Sequence, residues 1–161
     1  MMNWMKNIEC KNNFGKIVSV PAEKFVFRPS VYGVIIKNGK VLLLRNKSDK
    51  KFWFPGGGVD IGEKNSAALK REVKEETGFE VKPKELLLVK ENFFYYEPED
   101  AAFQAYLFFY RCEIVSGKLH NPEEVNDTES ENPNWFEIKK LKKVDFSDLN
   151  EDIWKMLAKL K

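Results

Sequence analysis

Glu72, Glu75 and Glu76 stand at i, i+3 and i+4 in the stretch NSAALKREVKEET, a few residues after Gly56-Gly57-Gly58. On a helix turning about 100° per residue, the three carboxylates fall within an arc of roughly 100°, a single face. Leu69 and Val73 come beside that face and point to a core, while Lys70 and Lys74 come on the far side, toward solvent. Like charges at these spacings repel by about 0.2–0.5 kcal/mol per pair on an isolated helix. Taken alone, the three glutamates also fit an exposed charged helix, although such a helix more naturally alternates sign. The cluster becomes favourable if a hard divalent cation sits on it. Mg²⁺ takes oxygen ligands, keeps several waters and bridges to substrate phosphates. The three glycines let the backbone approach a ligand closely and offer peptide carbonyl and N–H groups. They lack the Lys-Ser/Thr of a P-loop and do not match the dinucleotide-binding fingerprint.

These residues need elements to position them. Asn65 or Ser66 can cap the helix, and Gly78 stands where a C-terminal glycine belongs. Ahead of the glycines, SVYGVII and KVLLLRN flank Asn38-Gly39, the strongest short hairpin signal, and KFWF reads as a short strand ending at Pro55. After the helix, FEV, ELLLVKENFFYY and AAFQAYLFFYRCEIV read as strands separated by turn-like KPK and EPED. Residues 116–133 read as a polar, acidic loop and NWFEI as a last strand. Leu149, Ile153, Met156, Leu157 and Leu160 repeat as an amphipathic terminal helix with Ser147 as its cap. In the first 29 residues, GKIVSV and EKFVF read as two strands or as an arm that caps the domain or pairs with a partner. Many strands with two helices give an α/β or α+β class.

The spacing resembles the Nudix box of the Nudix hydrolases. Gly57, Glu63, Arg71-Glu72-Val73, Glu75-Glu76 and Gly78-Phe79 match that pattern position for position, and the likeness extends over roughly Ser30 to Lys161. The resemblance implies an α/β/α sandwich with a mixed β-sheet flanked by helices. It implies hydrolysis of a phosphoanhydride in a nucleoside diphosphate linked to another moiety, such as a nucleoside triphosphate or related nucleotide. It further implies Mg²⁺, or Mn²⁺, held by Glu72, Glu75 and Glu76 with the Gly57 carbonyl as a further ligand. Glu63 would support the helix and assist the site, and Arg71 would orient the glutamates by ion pairing. A further glutamate in the family commonly precedes the last strand, which makes Glu129 and Glu131 candidates for the metal, ahead of Glu123 and Glu124.

Candidate substrate contacts lie outside the box. Arg28 and Ser30 enter the first strand of the hairpin and can reach phosphate, since the arginine fork binds two oxygens. Trp53 and Tyr95 are aromatic candidates for stacking on a nucleobase, and Tyr95 follows Phe79 at an offset where some dinucleoside-polyphosphate hydrolases of the family carry a tyrosine. Each of these also has a plain structural reading, as a surface ion pair or a core aromatic.

Composition narrows the alternatives. The 161 residues favour one domain, with 1–29 as an N-terminal extension. They carry 27 basic and 25 acidic side chains, a net charge of +2, with no basic block of the kind nucleic-acid binding needs. The single histidine, His120, reads as a loop residue, so a Ser-His-Asp triad is not expected. Cys10 and Cys112 form no disulfide framework or zinc pattern, and Cys112 reads as core. The opening MMNWMKNIECKNNF has no apolar h-region, and runs such as VLLL fall far short of the ~20 residues of a membrane helix. A soluble cytoplasmic enzyme acting on a small nucleotide is the expectation, its oligomeric state open, a homodimer included. A dinucleoside-polyphosphate hydrolase, a non-catalytic nucleotide-binding regulatory module and an RNA-end processing protein are the rivals.

Overall fold

The computed structural model describes residues 7–47, 49–121, 124, 130–146 and 150–160. In chain order its strands are β1 (Asn7–Asn12), β2 (Ile17–Pro21), β3 (Phe25–Lys37), β4 (Lys40–Asn46), β5 (Phe52–Trp53) and β6 (Gly56–Gly58). Helix α1 (Asn65–Thr77) follows, then β7 (Phe79–Tyr96), β8 (Ala101–Gly117), β9 (Ser130–Glu137) and helix α2 (Asn150–Lys159). The sheet is ordered β2-β1-β7-β8-β3-β4-β5, with β6 also paired to β3 and β9 to β4. It is mixed: β3 runs parallel to β8 and β1 parallel to β7, while β7–β8, β3–β4 and β4–β9 are antiparallel.

Side-chain alternation along the central strands makes two cores. Val31, Ile35, Leu42 and Cys112 face α1 and pack with its Ala68, Leu69 and Val73. Their neighbours of opposite parity, Val34, Val41, Leu43, Ala105, Leu107 and Phe109, pack with Ile153, Met156 and Leu157 of α2. The sheet therefore lies between two helices, the sandwich that the resemblance implies. The Asn38-Gly39 hairpin forms as expected, with φ of 51° and 71° at its two turn residues. Both thiols are free and buried, and burial pushes that of Cys112 up to about 12.

Several boundaries differ from the sequence reading. FEV and ELLLVKENFFYY are one strand, β7, because Lys82-Pro83-Lys84 is absorbed as a bulge: the register against β8 shifts between Pro83 and Leu86. A proline gives no ladder donor, and a bulge is where a strand accommodates it. Helix α1 opens on Lys64, so Asn65 and Ser66 lie inside it and no side chain caps it. The amides of Ala67 and Ala68 both donate to the Lys64 carbonyl, which starts the helix from the backbone. Its far end matches expectation, with Gly78 at φ 82° donating its amide to the Lys74 carbonyl. Strand β9 begins at Ser130, ahead of NWFEI, so Glu131 is a strand residue. In the first 29 residues, β1 and β2 form a hairpin that extends the sheet beyond β7, and β3 begins at Phe25. The predicted cap Ser147 and Leu149 lie outside the described residues. Among the described residues no helix is long and apolar enough to cross a membrane.

The fit of α1 to the sheet rests on Leu69, which has no exposed surface. Leu69→Ala should lower unfolding free energy by about 2–5 kcal/mol, the usual cost of a leucine-sized core cavity. Val144→Ala, at a largely exposed valine, should change it by less than about 0.5 kcal/mol. Urea titrations of both variants, with unchanged slopes, check this.

Candidate active site

The carboxylates of α1 are held by two devices. The first is Arg71. Its Nε and Nη2 donate to the two oxygens of Glu63 at 3.1 and 2.8 Å, a bidentate fork, and its Nη1 donates to Glu72 at 2.7 Å. Glu75 lies 3.6 Å and Asp60 3.9 Å from the same guanidinium, and the Gly58 carbonyl lies 3.4 Å from Nη2. Hydrogen bonding from Arg71 holds the Glu63 carboxyl below the usual carboxylate range, and the bond to Glu63 chiefly raises Arg71 above its own. The Asp60 amide also donates to Glu63, at 3.3 Å, closing the turn before the helix.

The second device is a clamp between α1 and β6. Glu76 is almost wholly buried, and its carboxylate accepts a hydrogen bond from the Gly56 amide at 2.7 Å. A buried carboxylate needs such partners. Glycine is required at both positions, against different neighbours: β3 at Gly56 and α1 at Gly57. Gly56 has φ of 147°, and a Cβ there would stand 2.0 Å from the Val31 carbonyl oxygen. A Cβ on Gly57 would stand 2.7–2.8 Å from the Glu72 carboxylate. Glu72 thus occupies the space that a side chain at position 57 would fill. Glu75 completes the face and is the most exposed of the three.

The donor chemistry of this face suits a hard cation: carboxylates and a peptide carbonyl, all oxygen, beside a backbone stripped of side chains. Among the described residues no three Asp, Glu, His or Cys side chains already converge as a metal cluster. Glu72 is turned to Arg71 and Glu76 to the Gly56 amide.

The remaining candidates divide. Arg28 lies beside the glycine strand, its Nε and Nη2 3.1 Å from where a Cβ on Gly58 would be, and its guanidinium sits 4.9 Å over the Phe103 ring. Ser30 pairs with Gly58 across the β3–β6 ladder and is buried. Trp53 packs edge-on against Tyr32 and Phe109, at 5.6 and 6.0 Å between centroids. Tyr95 lies elsewhere: its hydroxyl donates to Asp100 at 2.6 Å, next to the Asp100–Lys24 ion pair, where it ties β7 to the 3-10 turn after it. Glu131 is paired with Lys50 at 2.9 Å, which holds it below the usual carboxylate range. Glu129 lies outside the described residues. His120 is not near a nucleophile; its ring packs at the Gly78 turn. Two participants were not anticipated, Asp60 beside Arg71 and the Gly56 amide on Glu76. Asp60 carries a legible signal, standing three residues before Glu63 across the Gly62 turn. The Gly56–Glu76 contact spans a loop, and no spacing rule reveals it.

A family model for the NUDIX domain matches residues 26–160. The chain belongs to the Nudix family. The match begins four residues before Ser30, where the resemblance was first legible. The chain is 31% identical over 121 residues to the ADP-ribose pyrophosphatase of Methanocaldococcus jannaschii, covering 73% of this chain and 66% of that one. It is 28% identical over 99 residues to the putative ADP-ribose pyrophosphatase YjhB of Bacillus subtilis, covering 62% and 47%. It therefore spans about half to two thirds of these curated relatives. A crystal structure of a MutT Nudix hydrolase from Burkholderia pseudomallei superposes with a TM-score of 0.62 at 22% identity, covering 84% of this chain and 99% of that one. At that identity the likeness is one of fold.

Gly56 and Gly57 should respond differently to the same added methyl group. Gly56→Ala drives a Cβ into backbone and should destabilise by several kcal/mol, on the order of 3 or more. At Gly57 the nearest atoms to an added Cβ are the carboxylate end of Glu72 rather than backbone, so the fold should survive while Glu72 is displaced. Thermal unfolding read beside turnover checks this: a stable, active Gly56→Ala protein would contradict the geometry.

Proposed function

We propose that this chain is a metal-dependent pyrophosphohydrolase that cleaves a phosphoanhydride in a nucleoside diphosphate derivative. The observation that supports the reading best is the carboxylate face itself. Glu72 and Glu75 crowd one guanidinium, Glu76 is clamped to a backbone amide, and the adjoining strand carries no side chain at Gly57. Two relatives bear the name ADP-ribose pyrophosphatase, which puts nucleoside diphosphate sugars first among the substrates to try, with nucleoside triphosphates and dinucleoside polyphosphates beside them.

In this reading Glu72, Glu75, Glu76 and the Gly57 carbonyl would hold Mg²⁺, with Mn²⁺ able to replace it. When bound, the ion supplies charge neutralisation on the phosphates and a lowered pKa for the attacking water. The protein does the rest. Arg71 positions Glu72 by its 2.7 Å hydrogen bond, without touching substrate. Glu63 fixes Arg71 from its other edge. Glu76 fixes β6 against α1, so that the Gly57 carbonyl keeps its place. Arg28 lies where its fork can take two oxygens of the diphosphate, its far face covered by Phe103. Ser30 holds Arg28 and β6 in register through the ladder. Water adds to one phosphorus, the bridging P–O bond breaks, and a carboxylate of the α1 face accepts the proton. Trp53, set against Tyr32, offers an aromatic surface for the base. Tyr95 has no part in this site, and Glu131 could join it only by leaving Lys50. The two buried free thiols suit a reducing compartment, and we place the enzyme in the cytoplasm.

Glu72→Gln and Glu75→Gln keep size and hydrogen-bonding shape but remove charge. Each should lower kcat by about 10²-fold or more, which corresponds to roughly 2.7 kcal/mol of barrier. Lys74→Gln, on the opposite side of α1, should stay within about twofold. A panel of ADP-ribose, nucleoside triphosphates and dinucleoside polyphosphates with Mg²⁺ or Mn²⁺, with products identified, reads both the chemistry and the substrate. Cleavage of phosphomonoesters alone, or full activity in both Glu variants, would overturn the proposal.

A further inference from the structure

The side of α1 turned away from the carboxylates borders a second cavity. Setting Glu72 at 0°, Lys70 and Lys74 fall at about 160° and 200°, facing away from Glu75 and Glu76. Beyond them a groove of about 520 Å³ runs between α1 and the strands β7 and β8, lined by Lys70, Arg71, Lys74, Glu80, Val81, Lys82 and Val115. That volume is in the range of small-molecule sites, about 300–1,000 Å³.

The lining has a clear chemical bias. Four basic residues and one acidic residue, Glu80, line the groove. Their availability differs. Arg71 has given its N–H groups to Glu63, Glu72 and Gly58 and its charge is offset by those carboxylates, so it only borders the groove. Lys74 is paired with Glu80, which also accepts from Ser116 at 2.7 Å. Lys82 acts on Glu113 only at longer range. Lys70 is exposed and has no partner among the described residues. The floor and wall are apolar: Val81 is buried, and Val115 is two-thirds exposed, an uncovered aliphatic surface beside lysines. A groove with two lysines not held in a close ion pair, Lys70 and Lys82, beside an exposed aliphatic side chain is complementary to a polyanion that carries a flat or apolar body.

We propose that this groove is a second ligand site, separate from the carboxylate face, that binds a nucleoside di- or triphosphate. The phosphate chain lies along Lys70 and Lys82, with Lys74 at its edge, and the base covers Val115. The site uses none of the box glutamates, so its occupancy does not depend on a divalent cation or on the hydrolytic reading.

The test is binding without catalysis. ADP, ATP and inorganic triphosphate are titrated into the protein in EDTA at low salt, followed by calorimetry and by amide chemical shifts. ADP and ATP should bind and shift the amides of Lys82, Val115 and Ser116. Inorganic triphosphate should bind at least threefold more weakly than ATP, because it cannot use the apolar wall. The double variant Lys70→Gln/Lys82→Gln, with its fold checked by circular dichroism, should weaken ATP binding about tenfold or more. Lys140→Gln, an exposed lysine away from both sites, should leave it unchanged. Shifts confined to the Gly56–Gly58 strand, or equal ATP affinity in the double variant, would overturn the site. Equal affinity for triphosphate and ATP would overturn the assignment of the apolar wall to a base.

Discussion

One guanidinium holds four carboxylates in place. Arg71 is bonded to Glu63 and Glu72 and lies within 4 Å of Glu75 and Asp60. Without it, the i, i+3 and i+4 glutamates of α1 would repel each other, and nothing in helix propensity would prevent them from splaying into solvent. Only the bidentate geometry of arginine can bond both oxygens of Glu63 with one edge and still offer Nη1 to Glu72. A lysine there would supply charge without the fork. The consequence is a set of negative groups concentrated on one face at a small fraction of the usual electrostatic cost, ready to take up a positive charge.

The backbone supplies the second half of the arrangement. α1 is placed on the sheet by Ala68, Leu69 and Val73, which pack against Val31, Ile35, Leu42 and Cys112. Glu76 continues that contact as a polar one, reaching the Gly56 amide, while Glu72 fills the space a side chain at Gly57 would need. The strand β3 carries the load from the other direction. It pairs with β6 at Ser30, Val31 and Tyr32 and with β8 over eleven positions from Phe25 to Ile35. Arg28, the glycines and the helix are therefore held to one frame, and the proposed chemistry sits where a rigid ladder meets a short strand without side chains.

How much of this is legible in the sequence depends on the range of the interaction involved. Local periodicity suffices for α1, for the Asn38-Gly39 hairpin and for the placement of Leu69 and Val73 in the core, because helix and strand periods act over a few residues. Fixed spacing suffices for Glu63, Arg71 and the three glutamates, which are read together as one motif. Pro83 misleads: a proline between apolar runs looks like a turn, yet the long pairing of β7 with β8 carries the strand through it as a bulge. Asn65 and Ser66 mislead in the same way, because helix α1 starts from backbone bonds to Lys64 and leaves their side chains unused as caps. Tyr95 stands out by its offset from the box and Glu131 by its place before the last strand, yet each is committed to a contact that only tertiary structure creates, with Asp100 and with Lys50. The Gly56–Glu76 bond, twenty residues apart in sequence, belongs to the same class.

The central claim is that the α1 carboxylates form a divalent-cation site preorganised by Arg71. The most direct measurement is Mn²⁺ binding followed by electron paramagnetic resonance, without substrate, in the wild type, Glu72→Gln, Glu75→Gln and Lys74→Gln proteins. The account predicts saturable binding in the wild type and Lys74→Gln, with affinity reduced about tenfold or more in each Glu variant, roughly 1.4 kcal/mol per decade. Equal Mn²⁺ affinity in all four proteins would contradict it.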